Sequence, residues 1–337
     1  MEYLEDQSLA THSTMRLGGK AKYLCTVQTE LDLLDAIKFA KKHKIPLLVI
    51  GQGSNIVFTD SGYNGLIIVN NLKGVNIDKT KLQIVANSGE KWDEIVKLSI
   101  ENNLAGIEAL SLIPGTTGAC PVNNIGAYGQ EVKDVIKYVR AYDTTCDKFV
   151  ELSNAQCNFS YRNSIFKTGE YGRYIITTVC FQLKPFDNSY RLPSYQVLAN
   201  KLIGNNKPSL KDVRSAVISL RSSKLPDPDK IANTGSFFKN PIINQSFASQ
   251  LRNKYPEMPM YPADKNMLKL AAGWLIEQAG LKGYEHNGMV VSDKQALVLI
   301  NKSAKNYEDL AAIIAIIINK VYAMFGVMLE PEPEIIL

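Results

Sequence analysis

Residues 106–129, GIEALSLIPGTTGACPVNNIGAYG, are broken so often by Gly, Pro, Thr and Asn that neither a helix nor a full strand fits them. An irregular run of that length inside a folded chain must be held by contacts other than its own ladder, and such loops are commonly functional. A second glycine element, residues 51–55 (GQGSN), directly follows the apolar run at 45–50. There glycine lets the backbone approach a ligand, and free N–H groups can cradle a phosphate. GQGSN alone is more often a tight turn, whereas the longer loop carries more Gly, Thr, Asn and Tyr than a connection needs, and the two together can clamp one long dinucleotide. GQGSN lacks the third glycine of the Rossmann fingerprint, and the fingerprint occurs nowhere else. Any nicotinamide cofactor must be held another way.

Around these loops the pattern alternates between helix and strand. Residues 29–44 place Leu31, Leu34, Ile37 and Ala40 near helical spacing, and 92–103 form a second amphipathic helix. Residues 65–92 read as hairpin-like β structure, and 135–143, 148–152 and 174–184 resume a strand-rich pattern. The polar stretch 187–211 reads as the weakest-packed part and a domain connection, after which the chain turns helical again. The apolar run at 310–318 reads as one buried helix, capped by Asn306 and closed by Gly326. It is too short for a bilayer, which takes about 20 residues. The expected class is α+β in more than one domain, since 337 residues exceed the comfortable size of one core.

Composition removes several classes of function. A net charge of +5 with no Lys/Arg block interleaved with aromatics excludes a nucleic-acid stripe. Five scattered cysteines form no Cys-x-x-Cys pair, and the three histidines show no metal-ligand spacing, so no metal is expected. With no secretory pattern at the start, the expectation is a cytoplasmic protein with reduced thiols.

Four side chains stand out chemically. Arg162, in YRNSIFK, offers a planar bidentate donor for a carboxylate, although alone it would be a surface ion pair. Residues 221–228, RSSKLPDP, form a stiff turn carrying cations that could meet a phosphate, Lys224 among them. Ser236, in GSFFKNP, is a nucleophile, a proton donor or a plain turn serine. The segment is not a Gly-x-Ser-x-Gly elbow, which weighs against a hydrolase. Glu330, in LEPEP, is a carboxylate on a proline-stiffened strand end, or else a solvated terminal charge.

Taken in order along almost the whole chain, GQGSN, IPGTTGACPVNNIGAYG, YRNSIFK, KLPDP, GSFFKNP, KLAAGWLI, QALVLIN and LEPE resemble the motif series of the UDP-N-acetylenolpyruvoylglucosamine reductases (UDP-N-acetylmuramate dehydrogenases), the longer loop-bearing type. The resemblance implies an FAD-binding fold of the vanillyl-alcohol-oxidase (p-cresol methylhydroxylase, PCMH) type in two subdomains, residues 1–69 joined by 326–337, and 70–211. A C-terminal α/β substrate-binding domain, 212–325, completes it. The resemblance also implies FAD as cofactor and NADPH as reducing co-substrate, sharing one pocket with UDP-N-acetylglucosamine enolpyruvate in peptidoglycan precursor synthesis. Hydride then passes from flavin N5 to the enolpyruvyl methylene carbon, and Ser236 supplies the proton. Arg162 and Glu330 match the residues that stabilise and orient the substrate carboxylate.

By the same resemblance, FAD contacts fall on Gly51, Gln52, Gly53, Ser54 and Asn55 in the first loop. In the second they fall on Ile113, Gly115, Thr116, Gly118, Ala119, Asn123, Ile125, Gly126 and Tyr128, with Tyr161 beyond it. Tyr195, from a mobile loop, Lys224, Asn240 and Tyr261 match residues that hold the uridine diphosphate. Two positions depart from the family pattern: Asn123 stands where Gln is expected, and Cys120 where Ala or Ser is common. A monomer is expected. Another flavin oxidase of this fold would share the loops but not Ser236, Lys224 and Glu330 together. A serine hydrolase or a non-catalytic nucleotide-sugar binder would carry no flavin.

Overall fold

The computed structural model describes residues 1–205, 207–263 and 266–337. Its chain divides into two units, Met1–Gln7, Ala21–Gln52 and Asn64–Ser223 in the first, and Ser8–Lys20, Gly53–Tyr63 and Lys224–Leu337 in the second. Both mix helices with sheets, as the α+β expectation requires.

In the first unit, helix α1 (Glu30–His43) starts on a capping box. Thr29 Oγ1 accepts from the Asp32 N–H, and the Asp32 carboxylate accepts from the Thr29 N–H. This start fixes the phase of the apolar stripe, so that Leu33, Ala36, Ile37 and Ala40 are buried with Val27, Leu66 and Ile68. The stripe expected through Leu31 is corrected: that side chain is 73% exposed, two residues and half a turn away from Leu33. The strand Leu47–Ile50 comes next and runs parallel to Tyr63–Asn70, with Leu47 opposite Leu66, in a sheet completed by Lys20–Val27 and Leu4–Ser8. Residues 66–69 give a continuous apolar run, the pattern of a strand covered on both faces. The hairpin expected over 65–92 is therefore only partly present, because Val75–Asp78 and Gln83–Asn87 pair with each other while Tyr63–Asn70 joins the other sheet.

That hairpin edges a five-stranded antiparallel sheet in the order Lys148–Ser153, Ile136–Asp143, Tyr174–Gln182, Gln83–Asn87, Val75–Asp78. Helix α2 (Trp92–Glu101) shares its core, with the Trp92 ring edge-on to Phe181 at 5.6 Å. Helices α3 (Gln196–Lys201) and α4 (Leu210–Lys224) come after it. Polar composition undersold this part: Leu198 is only 1% exposed, packed with Ala109, Val213 and Val217.

The second unit holds the antiparallel sheet Asn233–Ser236, Val298–Asn301, Met289–Val291, Glu285–His286, and a smaller one of Ile242–Asn244, Met267–Leu270 and Met260–Pro262. Helices α5 (Gln245–Lys254), α6 (Ala272–Gln278) and α7 (Tyr307–Phe325) belong to it. Asn306 accepts from the Asp309 N–H to cap α7, and Gly326, at φ +66°, ends it, as the sequence predicts. Leu310, Ile313, Ile317 and Val321 bury that helix against Phe237, Phe238, Leu275 and Ile276. Among the described residues no helix is long and apolar enough to cross a membrane. Also among them, no three His, Cys, Asp or Glu side chains are grouped to hold a metal ion.

Candidate active site

In the first unit the two glycine loops touch. A Cβ on Gly51 would lie 2.4 Å from Thr116 Oγ1, and Gln52 Oε1 accepts from the Gly115 N–H at 3.2 Å. Around residues 115–119 the backbone docks on neighbouring strand ends. The Gly118 N–H donates to Ser88 O, the Thr117 N–H to Glu90 O, and Gly115 O accepts from the Trp92 N–H. A Cβ on Gly118 would come within 2.6 Å of Ser88 Cβ, so only glycine fits there. Ala119 closes the short 3-10 turn Thr117–Ala119, and Ile113 is partly buried against the main core.

Farther along, the loop departs from ordinary backbone geometry. Asn124 and Tyr128 take left-handed φ values of 43° and 48°, and Gly129 takes 84°. Fully buried Asn124 stabilises this path: its amide donates to Glu131 Oε2 and Ser160 O, and its Oδ1 accepts from the Lys133 N–H. The Ile125 N–H donates to Cys120 O, and Gly126–Ala127 then pairs with Gln130–Glu131 as a tight hairpin. Asn123 accepts from Lys167 Nζ. Cys120 is buried, which pushes its thiol well above the ordinary range and leaves it unreactive.

Arg162 is itself left-handed, at φ 52°, and its guanidinium donates to Gly126 O at 2.7 Å and Asn124 O at 3.5 Å while lying 5.3 Å from the Tyr161 ring centre. The candidate carboxylate binder is thus fixed to the carbonyls of the longer glycine loop. Tyr195, the residue before α3, meets Tyr128 edge-on at 5.4 Å and is 39% exposed.

Does this unit suit a large anionic cofactor? Arg221 on α4 has a buried Nε with no hydrogen-bond partner among the described residues, and burial lowers the pKa of its guanidinium. Its charge also acts on Tyr128, whose hydroxyl burial raises and Arg221 draws back down. An unmatched buried donor beside a glycine-rich loop fits a ligand rich in carbonyls and phosphates.

GQGSN itself is shared between the units. In the second, Gly53 (φ +67°) leaves no room for a side chain, because its Cβ would sit 1.9 Å from His12 O. Gly53 O accepts from the Thr14 N–H, and Asn55 O from the Glu334 N–H, with Ser54 between them partly buried. Ser236 ends the strand Asn233–Ser236, opposite Val298, just after left-handed Gly235. Phe237 and Phe238, both buried, anchor the chain directly beyond it, and Phe238 bridges Pro331. Lys239 N–H donates to Glu330 O, and the Lys239 ammonium lies 3.3 Å from the Glu330 carboxylate. GSFFKNP and LEPE are therefore neighbours in space, about ninety positions apart in sequence. Asn240 Oδ1 accepts from the Ala272 N–H at the start of α6, and Tyr261 and Lys224 are exposed.

Sequence reasoning missed Asn124, Glu108 and Gln130. Asn124 had a signal, since Asn is the side-chain-bearing residue best suited to positive φ. Glu108 had another, as a lone acid in an apolar run.

The FAD binding domain family model matches residues 21–148, and the model for the C-terminal domain of UDP-N-acetylenolpyruvoylglucosamine reductase matches 227–336. The chain is 39% identical to UDP-N-acetylenolpyruvoylglucosamine reductase of Ralstonia nicotianae, over 97% of each chain. It is 41% identical to that of Neisseria gonorrhoeae, over 97% of this chain and 95% of the relative. Among solved structures, the UDP-N-acetylenolpyruvylglucosamine reductase of Thermus caldophilus shares the fold at a TM-score of 0.71, with 21% identity and full coverage of both chains.

Proposed function

This chain belongs to the UDP-N-acetylenolpyruvoylglucosamine reductase family, and from that premise we propose that it uses NADPH to reduce UDP-N-acetylglucosamine enolpyruvate to UDP-N-acetylmuramate. Bound FAD would carry the electron pair from NADPH to the enolpyruvyl double bond. The residues assigned to hold it are Gly51, Gln52, Gly53, Ser54 and Asn55 of GQGSN, Ile113, Gly115, Thr116, Gly118, Ala119, Asn123, Ile125, Gly126 and Tyr128 of the longer loop, and Tyr161. Residues 1–69 with 326–337, and 70–211, are assigned to the cofactor, and 212–325 to the substrate.

The observation that carries this reading is Arg162, a guanidinium held by two carbonyls at the edge of the glycine loop. Reduction at the methylene carbon puts negative charge on the neighbouring carbon, which the adjacent carboxylate absorbs as an enediolate. Preorganised N–H donors lower the cost of that charge in a site closed to water. Glu330 orients the carboxylate, and Ser236 donates its proton to the strongly basic carbon next to it. Tyr195, Lys224, Asn240 and Tyr261 bind the nucleotide diphosphate. The enzyme works as a monomer in the cytoplasm.

The test is anaerobic. Purified protein should show flavin absorbance and should oxidise NADPH in step with added enolpyruvyl nucleotide sugar. Colourless protein, or NADPH oxidation indifferent to that sugar, overturns the assignment.

A further inference from the structure

Glu108 is a carboxylate taken out of water, 1% exposed, with neutral donors around it and no cationic partner among the described residues. The Gly106 N–H donates to its Oε2 at 2.7 Å, while Gln130 Nε2 at 2.8 Å and the Tyr190 hydroxyl at 3.0 Å donate to its Oε1. Gln130 Oε1 in turn accepts from the Ala109 N–H at 2.8 Å. A buried carboxylate is costly unless each of its oxygens is satisfied, so this cluster has a geometry to defend.

Its members link two segments. Gln130 belongs to the hairpin that also carries Gly126 and Tyr128, and Tyr190 belongs to the stretch that leads to Tyr195. That stretch meets the hairpin a second time. Tyr195 packs edge-on against Tyr128, and a Cβ on Gly129 would come within 2.9 Å of Ser194 O. Leu192, Leu198 and Leu202 fill the space by packing with Ala109, the residue next to Glu108.

We propose that Glu108, Gln130 and Tyr190 form a buried latch that positions Tyr195 for the nucleotide sugar by tying its segment to the cofactor hairpin. They are positioning residues, acting through Tyr195. The proposal rests on the assignment of Tyr195 to substrate. It adds a coupling: order in the cofactor hairpin is transmitted to substrate affinity.

The test is Tyr190→Phe in the FAD-loaded full chain, because phenylalanine keeps the ring packed on Phe186, 5.0 Å away, and removes only the donor. Loss of a hydrogen bond to a charged acceptor should raise the KM for the enolpyruvyl nucleotide sugar about tenfold. Flavin content should hold, and kcat should stay within about twofold. Amide exchange over residues 187–202 should quicken while that of Ile136–Asp143 does not change. Glu108→Gln, which keeps the size but gives up acceptor capacity, should act in the same direction. An unchanged KM, unchanged exchange, or a joint fall of affinity, kcat and flavin content overturns the latch. If the wild type fails to turn over, the reaction assignment fails by itself, and the exchange measurement alone decides the latch.

Discussion

The long glycine loop of the first unit and the GSFFKNP/LEPE pair of the second are built by different means. In the loop, the geometry resides in the backbone: left-handed Asn124 and Tyr128, glycines with no space for a Cβ, and a buried amide that fixes the path. In the pair, the backbone is a β bridge between Phe238 and Pro331, and the proposed chemistry rests on side chains, Ser236 and Glu330, beside two fully buried rings. A site for a large, constant cofactor can afford conformational strain in its frame. A site for turnover keeps its frame regular and its reacting groups on rigid strands.

If that contrast holds, Ser236→Ala should be silent structurally and severe chemically. Reoxidation of the reduced flavin by substrate should slow on the order of 10²- to 10⁴-fold, with flavin reduction by NADPH close to wild type. Stopped-flow flavin absorbance separates the halves, and equal slowing of both would break the contrast by making Ser236 part of the frame. Gly118→Ala should do the opposite. A methyl group pressed to within 2.6 Å of Ser88 Cβ should cost on the order of 1–3 kcal/mol and lower flavin content together with the melting temperature. A stable, fully loaded Gly118→Ala protein would show that the loop's frame has room to give.

A subtler test uses pH. Burial works against ionisation of Asp93, but hydrogen bonds from Arg214 to both its oxygens at 2.7 Å and from the Leu112 N–H at 2.6 Å outweigh it and lower its pKa. A depressed folded pKa means stability that is present above the unfolded value of about 3.9 and lost as pH falls through the folded one. Asp93→Asn should therefore cost about 1–2 kcal/mol at neutral pH, with the gap to wild type narrowing between about pH 4 and 3 in urea titrations. A gap that does not depend on pH would mean that Leu112, at φ 60°, is held by packing and not by this charge.

What could be read from sequence was whatever short-range rules encode. The cap and stop of α7 lie within its own termini, and Asn306 and Gly326 announce both. The existence of α1 was legible, but its phase was not, because Leu31 and Leu33 differ only in which of them the Thr29 capping box turns toward the sheet. The loops declared themselves by glycine, whereas the division of GQGSN between units, the unmatched Nε of Arg221 and the partners of Glu108 depend on residues far along the chain. The FAD-binding fold was legible through motif order, confirmed by the match over 21–148.

The smallest predicted effect probes the regular side of the comparison. Glu330 makes an ion pair with Lys239, yet its side chain is 72% exposed, and such pairs contribute about 0–1 kcal/mol. Its backbone has firmer support: Lys239 N–H donates to Glu330 O at 2.9 Å, and Glu332 N–H to Phe237 O at 2.8 Å. Lys239→Met keeps the aliphatic stem and both backbone bonds, so the melting temperature should move by no more than about 2 °C. Added salt should shrink even that difference, since an exposed pair is screened. A larger loss, insensitive to salt, would mean that Glu330 is held by its charge and not by the ladder. In that case the GSFFKNP/LEPE pair would depend on a side-chain-built frame just as the long glycine loop depends on its backbone.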